Sequence, residues 1–516
     1  MKELIYPRQL LQAVEIHSEK VGFIDGAYRA TYARHLDRVL RLSSALRGLG
    51  VERGDRFAVM MMNGHGFLEL YHAAYMGAGI INPLNLRFAP MELEYILADS
   101  GTKVCFVDAV FAPVIDQVRK GAGLEKVILV GQGDVPHDHR YEALLDGAKP
   151  VLPDEPEETD PVVLMYTGGT TGLPKGVLLD QRAEMLNQYH CVAVFPYGET
   201  CVFLHQTPMF HAASMVAILS APLGGTSVFT PMFDPARVPK LIAEHRVTMT
   251  VMVPTMIGMM FASPGFDPKD LESLRALGYG ASPMPLSLLE RLRSMLPNVD
   301  TLQAYGMTES SSVLTALRPE DHREGGELLR SAGRALPGIT LTIQNESGQI
   351  LPPRHTGEVC ARAGNFMREY WKKPEATAEA FRGGWYHTGD AGYLDERGYL
   401  YLVDRVKDMI VSGGENVYSI EVENAIASHP AVAQVAVIGI PDDKWGEAVY
   451  AVVVRKPDAT VTAEELIEHA RERIARYKLP KSIELRTTPL PLSGAMKVLK
   501  RELRAPFWEG RDRVIQ

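Results

Sequence analysis

Cysteine is scarce in this 516-residue chain: Cys105, Cys191, Cys201 and Cys360 are scattered, with no metal-ligand spacing and no paired look. That excludes a disulfide framework and points to buried thiols in a reducing compartment. An excess of basic charge is also lacking, since 54 Lys and Arg stand against 63 Asp and Glu, for a formal charge of −9. Binding to a phosphate backbone rests on clustered Lys and Arg, so no nucleic-acid partner is expected. Long unbroken apolar runs are missing too. Residues 212–233 and 247–266 carry no charge, but Pro222, Gly224 and Gly225 break the first and Pro254 and Pro264 the second. Both are expected to be buried helix-turn-strand segments, so no integral membrane segment is predicted. The opening MKELIYPRQLLQAVEIHSEK has no apolar core of the secretory kind, and the expected location is cytoplasmic. Repeats and low-complexity tracts are absent.

What is present is ordinary globular material, 46% hydrophobic and 23% charged, in a length that suits about two to four domains. Residues 56–62 predict a strand, 66–79 a helix ending in glycine, 80–84 a strand and 90–101 a helix with Pro90 near its start. Strands over 103–108 and 126–131 follow. Helices between short apolar strands imply an α/β fold with mostly parallel sheets covered on both faces. Residues 136–161, rich in Asp, Glu and Pro, read as mostly surface loop. Beyond about Asp404 the texture changes. Residues 431–440, 448–456 and 483–486 are strand-like, and 462–477 read as a charged amphipathic helix capped by Thr462. The expected organisation is a large domain of layered α/β subdomains over 1–404 and a small α+β domain over 405–516.

YTGGTTGLPKG, from Tyr166 to Gly176, packs four glycines, three threonines and a lysine into eleven residues. Free backbone, hydroxyl donors and a fixed positive charge suit a loop that wraps phosphate oxygens. It is not a Walker A loop, because Lys175 stands between Pro174 and Gly176 rather than before Ser or Thr. QAYGMTES can stack a base on Tyr305, touch a phosphate with Thr308 and hold a hard divalent cation through Glu309; a solvated turn is the plainer alternative. Asp390 in WYHTGDAG can accept both hydroxyls of a ribose, or simply sit in a hairpin turn. DRVKDMIVSGGENVY, taken alone, is a hairpin with a Gly413-Gly414 turn, and Lys497 alone is a solvated lysine.

In order and spacing, however, YTGGTTGLPKG, PMFHA, GYGASP, QAYGMTES, GEVCARAGNFM, WYHTGD, DRVKDMIVSGGENVYSIEVE and the Lys497 segment resemble the successive motifs of adenylate-forming enzymes. These include acyl- and aryl-CoA synthetases, firefly luciferase and peptide-synthetase adenylation domains. The resemblance runs from about Thr31 to Leu503. It implies that a carboxylate attacks the α-phosphorus of ATP, pyrophosphate leaves, and the acyl-AMP is passed to the thiol of coenzyme A. Thr167, Gly168, Gly169, Thr170, Thr171, Gly172 and Lys175 would then lie on the pyrophosphate side. Glu309 would hold Mg²⁺ and Thr308 would bond the α-phosphate. Adenine would stack on Tyr305, in the segment that runs from Gln303 through Gly306, beside the backbone of Gly280, Ala281 and Ser282. Asp390 and Arg405 would bind the ribose. Lys497 would bridge the carboxylate and the phosphate, and His211 would gate the acyl pocket. The family rotates its C-terminal domain about a hinge, by position Lys407, which withdraws Lys497 and brings Gly413 and Gly414 to a pantetheine tunnel. A homodimer is compatible with this reading.

Three positions depart from the family pattern: Gly168 where many members carry serine, Met496 where glycine usually precedes the lysine, and Ser419 for a common proline. Substrate walls are expected near PMFHAASM, VPTMIGMMF and GYGASP, where Met209, Met215, Met252, Met256, Met259 and Met260 offer a soft apolar lining or plain core. The acid expected is a hydrophobic monocarboxylate, fatty acid first, with an aryl or alicyclic acid close behind. A luciferase and an acyl-AMP ligase serving a carrier protein share the machinery and stay open on motifs alone. A non-catalytic nucleotide-binding scaffold is disfavoured by the presence of both Glu309 and Lys497.

Overall fold

The computed structural model describes residues 3–167, 173–218, 223–405, 408–412, 415–442, 444–457 and 459–509. Gly168, Gly169, Thr170, Thr171, Gly172, Lys407, Gly413 and Gly414 lie outside them. The predicted strands and helices of the first 130 residues are present, as Arg56–Met60, His65–Tyr75, Ile80–Pro83, Pro90–Ser100, Val104–Asp108 and Lys126–Val130. The loop expected over 136–161 also contains a short helix, Tyr141–Gly147.

Two large sheets carry most of the chain. In the first, Pro161–Thr167, Ile80–Pro83, Arg56–Met60, Val104–Asp108, Lys126–Val130 and His139–Arg140 run parallel to their neighbours. Lys175–Asp180 and then Glu369–Tyr370 extend its edge in antiparallel sense. In the second, Asp300–Tyr305, Ala276–Gly280, Met249–Met252, Val202–His205, Thr226–Phe229 and Val21–Asp25 are parallel, with antiparallel strands closing both ends. Helix His65–Tyr75 touches strands of both sheets and buries every residue after His65. A helix buried around its whole circumference belongs between two layers. Its one acid, Glu69, is fully buried; Arg38 donates to it at 2.6 Å and Tyr141 Oη at 2.6 Å.

Thr340–Gln344, Gly357–Arg362, Tyr386–Leu394 and Leu400–Arg405 form a smaller antiparallel sheet. The uncharged stretches resolve as expected into short buried elements, among them Met215–Ile218 with Thr226–Phe229 and Met249–Met252 with Pro254–Ala262. Among the described residues no helix is long and apolar enough to cross a membrane. After the proposed boundary, Val432–Asp442 and Gly446–Arg455 pair as a long hairpin, Ser482–Arg486 joins in parallel, and helices Ser419–Ala427 and Ala463–Arg471 cover the sheet. Thr462 caps the second helix by accepting from Glu465 N at 3.1 Å, while Glu465 accepts from Thr462 N at 2.8 Å. That helix ends at Arg471, earlier than its charged pattern suggested, and the chain resumes as a single turn over Arg476–Lys478. Past Arg471 the chain still packs Ile474 and Leu479 against the domain core, but as turns rather than as a continued helix.

Glu69→Ala would leave Arg38 buried with only the exposed Glu142 as ionic partner. We expect about 3 kcal/mol or more of lost stability, read as a lowered Tm; a shift no larger than that of Tyr141→Phe would remove the pair from the core's supports.

Candidate active site

The strands flanking YTGGTTGLPKG are antiparallel neighbours with Thr167 opposite Lys175, so the loop begins and ends at one place. A P-loop instead leads from a strand into a helix. Here Lys175 opens a strand, and the helix that follows, Gln181–Val192, is capped by Asp180, which accepts from Ala183 N at 2.9 Å. Lys175 Nζ rests over the ring of Tyr370, 5.1 Å from its centroid, and Tyr370 Oη donates to Glu309 Oε1 at 2.8 Å. The lysine and the predicted metal carboxylate, far apart in sequence, thus meet on one tyrosine. Tyr370 escaped the sequence reading. It lies three positions beyond the end of GEVCARAGNFM, but nothing local says that its ring and hydroxyl face different partners.

Glu309 sits in a single tight turn, Thr308–Ser310, after the strand that ends at Tyr305. Gly306 permits the close approach that follows, because a Cβ there would lie 2.1 Å from Ser312 O. Ser311 and Ser312 have φ of 57° and 137°, backbone that neither helix nor sheet satisfies. Side chains do so instead. Asn365 Nδ2 donates to Ser310 O at 2.8 Å and to Val313 O at 2.9 Å, while Asn187 Oδ1 accepts from Val313 N at 3.2 Å. Met367 N donates to Glu309 O at 2.6 Å. Beneath lies Glu184, accepting from Tyr75 Oη at 2.9 Å. Burial pushes its carboxyl up to about 8, against the opposing bonds from Tyr75 and Ser311. Glu184 Oε1, Asn187 Nδ2 and Asn365 Oδ1 have no hydrogen-bond partner among the described residues, which further disfavours a charge there.

The residues expected at the nucleoside also converge. Tyr305 Oη donates to Asp390 Oδ2 at 2.7 Å, joining the large parallel sheet to the smaller one. Asp390 stands opposite Arg405 in the ladder. The turn before Asp390 is held from below. Gly389 N donates to Glu358 Oε1 at 3.1 Å, and Asp390 N to Thr388 Oγ1 at 3.1 Å. Glu358 Oε2 meets His387 Nδ1 at 2.8 Å and Arg382 at 2.7 Å. Cys360, opposite His387 in the sheet, places Sγ 3.3 Å from Nδ1. Linear spacing missed this Glu358–Cys360–His387 cluster because strand pairing creates it. All four cysteines are buried and free, and burial pushes the thiols of Cys105, Cys201 and Cys360 up to about 12, 11 and 12. Gly280 ends its strand so close to the next that a Cβ would lie 2.2 Å from Ala304 O; Ala281 follows at φ 64°, with Ser282 half-buried. Gln303 accepts from Tyr279 Oη at 3.3 Å.

Lys497 occupies a tight hairpin closed by Ser493 N donating to Lys497 O at 2.7 Å and by the Leu492–Val498 bridge. Met496 there has φ 61°, a left-handed conformation that glycine takes without strain, which accounts for the glycine common at this position. Its side chain packs against the core around Met252, Met256 and Met260. The hairpin docks on the large domain: Thr255 Oγ1 donates to Met496 O at 2.6 Å and Arg87 Nη1 to Leu492 O at 2.5 Å, with Gly494 pressed against Asn85. His211 faces it. Burial first, and then the charge of Lys497, hold the imidazole well below its ordinary pKa. The methionines do not form one lining. Met209 and Met215 belong to one core cluster and Met252, Met256 and Met260 to another, all nearly inaccessible, whereas Met259 is half-buried.

Family comparison places the chain. The model of AMP-binding enzymes matches residues 10–371, and that of their C-terminal domain residues 421–497. The chain belongs to this family. Feruloyl-CoA synthase of an Amycolatopsis species is 37% identical over 93% of this chain and 95% of its own. Long-chain-fatty-acid–CoA ligase FadD13 of Mycobacterium tuberculosis is 36% identical over 93% of each. Among solved structures, the anthranilate CoA ligase AuaEII in complex with anthranoyl-AMP superposes with a TM-score of 0.90 at 25% identity, covering 97% of this chain and 96% of that one. This adenylate-forming enzyme is an AMP-forming acid–thiol ligase of the acyl- and aryl-CoA ligase family.

The clamp under Glu309 carries a pH signature. A carboxyl whose folded pKa lies near 8, against 4.5 as its ordinary value, contributes stability that is complete below about 4.5 and is lost as pH rises through 8. Glu184→Gln, neutral at every pH, should flatten the fall in unfolding free energy between pH 5 and 8.5, by an amount on the order of 1 kcal/mol or more, read from Tm and denaturant midpoints. Parallel pH profiles for variant and wild type would exclude a protonated Glu184.

Proposed function

We propose that this ligase activates a hydrophobic monocarboxylic acid, a fatty acid first, as acyl-AMP and then transfers the acyl group to the thiol of coenzyme A. The observation that carries the reading is the docking of the Lys497 hairpin against His211 and Thr255, in the same molecule in which Lys175, Glu309, Tyr305 and Asp390 already stand together. A carboxylate is a poor acyl donor because oxide is a poor leaving group; attack on the α-phosphorus of ATP expels pyrophosphate and installs AMP, a good one. Two anions must meet, so the site has to neutralise charge and hold an in-line geometry. Lys497 bridges the carboxylate and the α-phosphate, Thr308 donates to the same phosphate, and Thr167 and Lys175 take the departing pyrophosphate with the loop from Gly168 to Gly172. Adenine stacks on Tyr305 beside Gly280, Ala281 and Ser282, in the segment from Gln303 through Gly306, and the ribose hydroxyls meet Asp390 and Arg405.

Mg²⁺ fits this donor set: one carboxylate, Glu309, beside the Thr308 hydroxyl would suit a hard cation that draws its other oxygens from substrate phosphates and water. Bound there, it would neutralise phosphate charge. The thiol then attacks the acyl carbon and AMP leaves. Lys497 would occupy the space the thiol needs, so the domain after about residue 405 turns at Lys407, bringing Gly413 and Gly414 to the pantetheine while His211 gates the acyl pocket. The free-energy requirement on the acid is apolar: residues 208–218 and 249–263 contain no Asp, Glu, Lys or Arg to pair a second acid group. An aryl acid is the second reading, favoured by the 37% identity to a feruloyl-CoA synthase.

A panel of carboxylic acids assayed for pyrophosphate release, with and without coenzyme A, tests the reaction and ranks the acids; release with none of them would refute it. On the best acid, Lys497→Ala should lose about 2–4 kcal/mol of transition-state stabilisation in adenylation, yet still thioesterify supplied acyl-AMP. Normal adenylation by that variant would take Lys497 out of the first step. Lys407→Pro, with φ fixed near roughly −65°, should keep ATP–pyrophosphate exchange and lose thioester formation. Parallel loss of both with a lowered Tm would mean a structural position, and retention of both would mean that the domain does not turn there.

A further inference from the structure

Tyr370 presents two opposite polarities to two groups that each need to reach ATP. Its ring face takes Lys175 Nζ at 5.1 Å and its hydroxyl donates to Glu309 Oε1 at 2.8 Å. The ring is fixed by backbone. Tyr370 pairs with Val177 in the ladder, Trp371 N donates to Gly176 O at 2.7 Å, and Tyr370 N donates to Thr377 Oγ1 at 3.0 Å. Gly176 allows that approach, since a Cβ there would lie 3.0 Å from the Tyr166 ring and 3.2 Å from Trp371 Cβ. A carboxylate oxygen only accepts, so the Tyr370 hydroxyl is the donor of this pair.

Tyr370 stands between the lysine and the glutamate and touches each through a different part of its side chain. The aromatic face holds a cation by its quadrupole and releases it more readily than a carboxylate does. The hydroxyl occupies one oxygen of Glu309 and leaves the other for a cation. We infer that Tyr370 is a positioning residue that keeps Lys175 and Glu309 apart yet poised, orienting Glu309 for the divalent ion of the ATP complex and giving Lys175 a weak resting place from which ATP withdraws it. The inference rests on the reading of the preceding subsection, which places both residues at the triphosphate.

The test uses the full chain with Tyr370→Phe, which keeps the ring and removes the donor, and Tyr370→Leu, which removes both. Mn²⁺ serves as the probe, its binding followed by electron paramagnetic resonance at fixed ATP with no acid present, so the readout is independent of turnover. Tyr370→Phe should weaken Mn²⁺ binding about tenfold, the scale of a hydrogen bond to a charged group, with Tm and the KM for the acid nearly unchanged. Tyr370→Leu should show that loss plus a change of about threefold in ATP affinity from the vacated ring face. Wild-type Mn²⁺ affinity in Tyr370→Phe would overturn the inference alone, as would equal ATP affinities for the Phe and Leu variants. A wild-type enzyme that binds no Mn²⁺ with ATP would overturn both this and the site reading.

Discussion

The backbone between Tyr305 and Val313 has to reverse direction without a helix or a sheet to satisfy it, and much of the site hangs on how that is solved. Left-handed Ser311 and Ser312 leave amides and carbonyls that would be buried unpaired. Asn365 and Asn187 take them, one from the small antiparallel sheet's approach and one from helix Gln181–Val192. Because these side chains come from different layers, the turn is held only when the layers are assembled. Glu309 and Thr308 therefore acquire fixed positions as a consequence of tertiary packing rather than of their own sequence.

The same logic governs charge. Isolated, each of Lys175, Glu309, Asp390 and Lys497 would be a solvated side chain, and surface ion pairs among them would contribute little. In the fold three of them are placed by neutral partners: Tyr370 for Lys175 and Glu309, and Tyr305 for Asp390. Tyrosine suits this role because its ring packs while its hydroxyl donates. In the adenylation chemistry proposed, such partners orient charges without neutralising them, which leaves their electrostatic reach for substrate phosphates.

Much of this was legible in the linear chain. Alternation of short apolar strands with amphipathic helices foretold the α/β layers, and the Thr462 cap appears where the sequence puts it. The ordered motifs implied the family that comparison establishes. The methionines were harder, because a run of soft apolar residues reads alike as pocket lining or as core. Helix Pro254–Ala262 buries Met256 and Met260 and leaves Met259 half-buried, a division that packing makes and spacing does not announce.

Sequence by itself determined the residue types with the needed chemistry, their order, and the local signals of glycine, cap and apolar period, since these depend on neighbours a few positions away. Tertiary structure alone decided which of them touch. Glu358 meets His387 and Cys360 through strand register, Tyr370 meets Lys175 through the edge ladder, and Lys497 meets His211 through docking of a hairpin nearly three hundred positions along the chain. Those encounters are absent from any local pattern. They arise because burying apolar faces between layers fixes the geometry of polar groups that contribute little to the burial themselves.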